Sequence, residues 1–160
     1  MGSDPYRSRS SVRPDLVARE DPVIHPGMAG PLSDAELGLF EADGFLVLRG
    51  LIPVAEASFA LQETNRAVAS GLVPALRQAD SLTLRSVFRL HADSGPILPA
   101  LCRHPSLVGM ARQILGSEVY IHQSRVDFRT LEGREFYWQS DYETWHVEDG
   151  MPAMPAVTGC

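Results

Sequence analysis

The 160-residue chain carries 14 basic and 20 acidic side chains, a formal charge of −6, with 44% hydrophobic and 21% charged residues. That balance excludes wholesale disorder, and the acidity removes any general attraction to nucleic acid or anionic lipid. No apolar run approaches the roughly 20 residues that cross a bilayer, and two cysteines fit a reducing cytoplasm better than a disulfide framework.

In chain order, residues 1–31 read as an irregular arm, interrupted by Pro5, Pro14, Pro22, Pro26 and Pro31. The basic start of this arm has no apolar stretch behind it, so a secretory signal is not expected. Ser33-Asp34-Ala35-Glu36 is a capping box, and Leu37 and Phe40 follow at the spacing of a short amphipathic helix that Gly44 can end. Phe45-Leu46-Val47-Leu48 predicts a short apolar strand closed by Gly50. Pro53 opens a second helix carrying Val54, Ala57, Leu61 and Val68 toward the core, with a stop at Gly71. Residues 72–100 are ambiguous, although Leu84 to Leu90 suits a strand. Pro105-Ser106 opens a third helix with Leu107, Met110, Ala111 and Ile114 on one face, and Gly116 ends it. Strands are expected over Val119–Phe128 and Phe136–Tyr142. Helices come first and strands dominate the end, so the fold class is α+β with a largely antiparallel sheet.

Alternation along a strand places residues two apart on one face. The strand over 119–128 therefore groups Val119, Ile121, Gln123, Arg125 and Asp127, a polar face that either meets solvent or lines a cavity. In the strand over 136–142, Tyr137, Gln139 and Asp141 share a face. A His-x-Asp pair in that arrangement holds two ligands of a non-haem iron facial triad, but here the first position is Gln139. On composition alone, a Gln-x-Asp pair is more often a solvated face. Glu143-x-x-His146 has the spacing of di-iron carboxylate motifs but occurs once where two copies are needed. Cys102-x-His104 lacks the second ligand pair of a structural zinc site, and His122 reads as a hydrogen-bonded structural histidine. Phosphate loops, nucleophile elbows and dinucleotide fingerprints are missing from the sequence.

The stretch Phe136-Tyr137-Trp138-Gln139-Ser140-Asp141-Tyr142-Glu143-Thr144-Trp145-His146-Val147-Glu148-Asp149-Gly150-Met151-Pro152 closely resembles the signature of ectoine hydroxylases. These are the phytanoyl-CoA dioxygenase-like branch of the Fe(II)/2-oxoglutarate oxygenases. Gln113 to Ser117, Val119 to Arg125, Asp43 to Leu48 and Asp21 to Pro26 resemble the same family, so the similarity runs along nearly the whole chain. The resemblance implies helices packed on a double-stranded β-helix (jelly-roll) core. It also implies hydroxylation of ectoine to 5-hydroxyectoine, with Fe(II) as cofactor and 2-oxoglutarate and O2 as cosubstrates. Position by position, Asp141 matches the iron carboxylate and Gln123 the residue that hydrogen-bonds ectoine. Arg129 aligns with a Lys that contacts 2-oxoglutarate, and Trp145 with an aromatic wall of the substrate pocket. Neither nucleic acid nor membrane is an expected partner, and a homodimer of the full-length protein is compatible with the family.

Two departures from the family pattern stand out. Gln139 occupies the position of the first iron-binding His, replacing an imidazole with a weak amide donor. Few residues follow Asp141, whereas the family's second iron-binding His and its 2-oxoglutarate-binding Arg lie further downstream. The expectation is therefore an N-terminal portion of such an enzyme, residues 32–160 holding part of an incomplete jelly roll. The rival readings are a catalytically inactive fragment or pseudoenzyme, and a related oxygenase acting on another small molecule.

Overall fold

A computed structural model describes residues 22–78, 83–128 and 156–160. Helix α1 (Asp34–Asp43) starts as the sequence predicts: Ser33 Oγ accepts the Glu36 N–H, and the Glu36 carboxylate accepts the Ser33 N–H at 2.8 Å. Gly44 closes it in the left-handed conformation, φ 76°. Phe45–Leu48 is not a strand, because it has no ladder partner among the described residues. Its alternation is nonetheless kept, with Leu46 and Leu48 packed inward and Phe45 and Val47 exposed.

Helix α2 (Val54–Ala69) is where expected, but of the four apolar residues read from its spacing only Val68 packs on the core. Val54 is 83% and Leu61 56% exposed, while Ala60, Glu63, Thr64 and Ala67 are buried. Those four sit at i, i+3, i+4 and i+7, one helical stripe. Three are small, which allows close approach of the neighbouring elements. The fourth, Glu63, reads as a solvent residue until its partners are known.

The ambiguous stretch resolves into strand β1 (Ala75–Arg77), strand β2 (Leu84–Phe88) and two short helices, α3 (Leu90–Asp93) and α4 (Ile97–Cys102). Glu63 explains how α4 begins. Its carboxylate accepts the N–H groups of Ile97 (3.1 Å) and Leu98 (2.7 Å), the donors a helix start leaves unpaired. Gly95 (φ 130°) passes so close that a Cβ there would lie 2.8 Å from the Glu63 carboxyl carbon. Helix α5 (Pro105–Leu115) ends at left-handed Gly116, and its Met110 and Ile114 face the core as the spacing predicts.

Strand β3 is only Arg125–Asp127, shorter than the expected span, because residues 119–124 pair with no described strand. The sheet is antiparallel in the order β1-β2-β3, with Val87 opposite Ala75 and Val126, and Ser86 opposite Leu76 and Asp127. Its inner face packs on one apolar cluster, built by Ala60, Ala67, Val73, Val87, Leu90 and Leu98. A second cluster gathers Leu32, Met110 and Ile114, with Leu37, Phe40 and Val157 against it.

The described end of the arm lies along α5. His25 donates its N–H to the Ile114 carbonyl at 2.8 Å. Gln113, 8% exposed, matches its carboxamide to the backbone of Leu32, accepting the N–H at 2.8 Å and donating to the carbonyl at 2.9 Å. Gly30 makes room for that side chain, since a Cβ there would meet it at 2.6 Å.

Candidate functional site

The outer face of the sheet, turned away from the apolar cluster, carries a polar group. Ser86, 3% exposed, donates its hydroxyl to Asp127 Oδ1 at 2.6 Å, across the β2–β3 ladder that sets the two residues opposite each other. Arg125, two residues from Asp127 and on the same face, donates Nε–H to Asp127 Oδ2 at 3.0 Å. Both carboxylate oxygens are thus engaged, one by a hydroxyl and one by a guanidinium.

Just before β3 the chain is held from the opposite side. The Ser124 carbonyl accepts the Arg89 N–H at 3.0 Å. The Ser124 hydroxyl accepts the His91 N–H at 2.9 Å and lies 2.7 Å from His91 Nδ1. Arg89 itself has φ 60°, the one positive φ outside glycine among the described residues, and an ion pair to Asp93 at 3.0 Å. With Ser124 turned inward, Gln123 is left exposed on the other side. No hydrogen bond links its carboxamide to a described residue.

Of the predicted site residues, Gln123 is the one the structure describes. Arg129, Gln139, Asp141 and Trp145 lie outside the described residues. The expected grouping of Gln123 with Arg125 and Asp127 resolves into an Arg125–Asp127 pair and an exposed Gln123 beside it. Sequence reading missed Ser86 and Ser124. Ser86 carried no signal, being a small polar residue in an apolar strand whose partner is 41 positions away.

Among the described residues, no group of three His, Cys, Asp or Glu side chains is placed to hold a metal. His122 is exposed, its ring edge-on to Tyr120 at 6.3 Å between centroids. His104 caps α5, its Nδ1 accepting the Ser106 N–H at 3.3 Å. Cys102 is half-buried, and burial pushes its thiol up, against smaller opposing effects of Arg103 and the Ser124 hydroxyl. It is therefore a poor nucleophile at neutral pH. A surface groove of about 360 Å³ between α2 and α4 is lined by Phe59, Ile97, Leu101 and His104 among others, and Gln123 is not part of it. No described helix is long and apolar enough to cross a membrane.

Comparison with known proteins shows what the whole chain resembles. No protein-family model matches the chain. The ectoine dioxygenase of Bordetella bronchiseptica is 44% identical over 162 residues, covering 97% of this chain and 52% of that protein. The ectoine dioxygenase of Sphingopyxis alaskensis is 39% identical over 165 residues, covering 97% and 53%. The crystal structure of EctD from S. alaskensis with bound Fe superposes with a TM-score of 0.77 at 37% identity, covering 93% of this chain and 55% of that one. The chain spans about half the length of the curated relatives it matches. In sequence and in backbone it is similar to the ectoine dioxygenases along nearly all of its own length.

Proposed function

We propose that the gene product carrying this chain hydroxylates L-ectoine to 5-hydroxyectoine, with Fe(II) as cofactor and 2-oxoglutarate and O2 as cosubstrates. The observation that carries this reading is identity of 37–44% to several ectoine dioxygenases over 97–99% of the chain. The backbone match to an iron-bound homologue supports the choice of metal.

The described residues alone do not fit an iron centre. The donors in this reading, the Asp141 carboxylate and, at the usual His position, the Gln139 amide, lie outside them. Bound iron would supply the oxygen activation that no protein side chain provides. The chain's own contribution is recognition. Gln123 offers a carboxamide oxygen and an NH2 group to solvent, matched to the carboxylate and amidine of ectoine. By the family resemblance, Arg129 is the cation for a carboxylate of 2-oxoglutarate, while Arg125 pairs with Asp127. Trp145 would wall the pocket, its ring face suited to a delocalised cation. In the same reading, residues 32–160 contribute one portion of a jelly roll with helices outside it, residues 1–31 form an arm, and the full-length protein forms a homodimer.

The test is direct. The complete gene product, given Fe(II), 2-oxoglutarate and ectoine in air, should form 5-hydroxyectoine and succinate in equal amounts. Asp141→Ala should abolish both products at any ectoine concentration. Absence of 5-hydroxyectoine from the folded, iron-supplied protein would refute the reading.

A further inference from the structure

We infer that Ser124 is a positioning residue for Gln123, gripping the backbone from the core side so that the neighbouring carboxamide is presented outward in one orientation. This inference rests on the reading of Gln123 as a substrate contact. The ladder between β2 and β3 ends at the Phe88–Arg125 pair. Beyond it, strand pairing no longer orders the chain, and Gln123 lies two residues further on.

Three interactions extend the order past that point, all at Ser124. Its carbonyl takes the Arg89 N–H, and its hydroxyl takes the His91 N–H and meets His91 Nδ1. They require the sharp corner from β2 into α3, which Arg89 makes at a φ of 60°. A non-glycine residue held there is strained, at a site the surroundings over-determine. The Arg89–Asp93 ion pair and the start of α3 hold the corner in place. The strain therefore has a structural return: it aims two N–H groups, those of residues 89 and 91, at one residue of the passing strand. Ser124 is half-buried and its neighbour Gln123 exposed, so fixing Ser124 inward keeps the adjoining carboxamide at the surface. The hydroxyl serves either tautomer of His91, donating to a bare Nδ1 or accepting from a protonated one.

The experiment is steady-state kinetics on the complete gene product, with ectoine and 2-oxoglutarate varied separately. Ser124→Ala should raise the KM for ectoine about tenfold, the effect of roughly one lost hydrogen bond on orientation. It should leave kcat and the KM for 2-oxoglutarate within about twofold, on the same scale. Ser124→Thr keeps the hydroxyl and should restore the ectoine KM. His91→Ala removes the ring but keeps the backbone N–H, and should raise the ectoine KM by a smaller factor. It carries the test if Ser124→Ala does not fold, and an unchanged KM in His91→Ala would then overturn the proposal. A purely structural role would lower the melting temperature without separating the two KM values, which also overturns it. Gln123→Ala separates the layers. If it leaves the ectoine KM unchanged, the substrate role of Gln123 falls and the positioning role with it. If it raises that KM while folded Ser124→Ala does not, only the positioning role falls.

Discussion

Glu63 is the most demanding residue in this fold, and replacing it gives the sharpest test of the packing described. It is fully buried, and its two carboxylate oxygens accept the N–H groups of Ile97 and Leu98 at the start of α4. Glu63→Ala leaves the buried Leu98 N–H and the half-buried Ile97 N–H without their acceptor, at about 1–3 kcal/mol for each donor left unpaired. Removing a buried carboxylate returns part of its desolvation cost. The net expectation is a loss of about 3 kcal/mol, or roughly 6–12 °C in Tm for a chain of this size. Glu63→Gln separates this account from simple space filling. The carboxamide has the same shape but only one oxygen, so its NH2 group must face one of the two helix N–H donors. It should therefore lose about 1–2 kcal/mol, on the scale of one unmade buried hydrogen bond. Urea unfolding followed by circular dichroism reads both variants, with a lower midpoint at unchanged slope. If Glu63→Gln unfolds at the wild-type midpoint, the two-acceptor argument is wrong and Glu63 merely fills space. Gly95→Ala should destabilise as well, because its Cβ would press on the Glu63 carboxyl at a φ that disfavours side chains.

Other parts of the molecule give further expectations. Gln113→Ala removes both partners of the buried Leu32 backbone and should lower stability by about 1–3 kcal/mol. Limited proteolysis within residues 22–31 should accelerate with it, and wild-type cleavage rates would count against the clamp. Cys160 is exposed while the Cys102 thiol is half-buried and pushed up by burial. Ellman's reagent at neutral pH should therefore titrate one thiol quickly and the second only on unfolding or at alkaline pH; two equal fast phases would contradict this. Hydrogen bonds from Ser33 hold Glu36 below the ordinary carboxylate range. A depressed carboxylate contributes stability above its unfolded pKa and loses it as pH falls through its folded value. The start of α1 should thus fray on acidification below the usual glutamate range. Ser33→Ala should cost about 1 kcal/mol at neutral pH and flatten that acid response, as amide exchange in α1 would show.

What the sequence determined by itself was everything governed by neighbours within one helical turn. The Ser33–Glu36 capping box, the left-handed stops at Gly44 and Gly116, the proline start of α5 and its Met110–Ile114 face were all legible, because the interacting groups lie a few residues apart. Strand alternation also anticipated that Arg125 and Asp127 share a face, where they form an ion pair, but not that Gln123 would stand apart from them. The similarity to the ectoine dioxygenases was legible too, as a string of residue types rather than as a geometry. Tertiary structure decided the rest. The inward face of α2 depends on Glu63 meeting backbone N–H groups 34 and 35 residues later, so a pattern that assigns acids to water misses Glu63 and finds only Val68 of the core-packed residues. The apolar run Phe45–Leu48 and residues 119–124 have strand-like composition, yet a strand exists only where a ladder partner is supplied, and among the described residues none is. Leu32, just after the arm, is held by a Gln113 side chain 81 positions away, and Asp127 is bonded by a serine 41 positions away. Contacts of that length leave no periodic trace, because each needs one polar atom at one place and the intervening chain is free to vary.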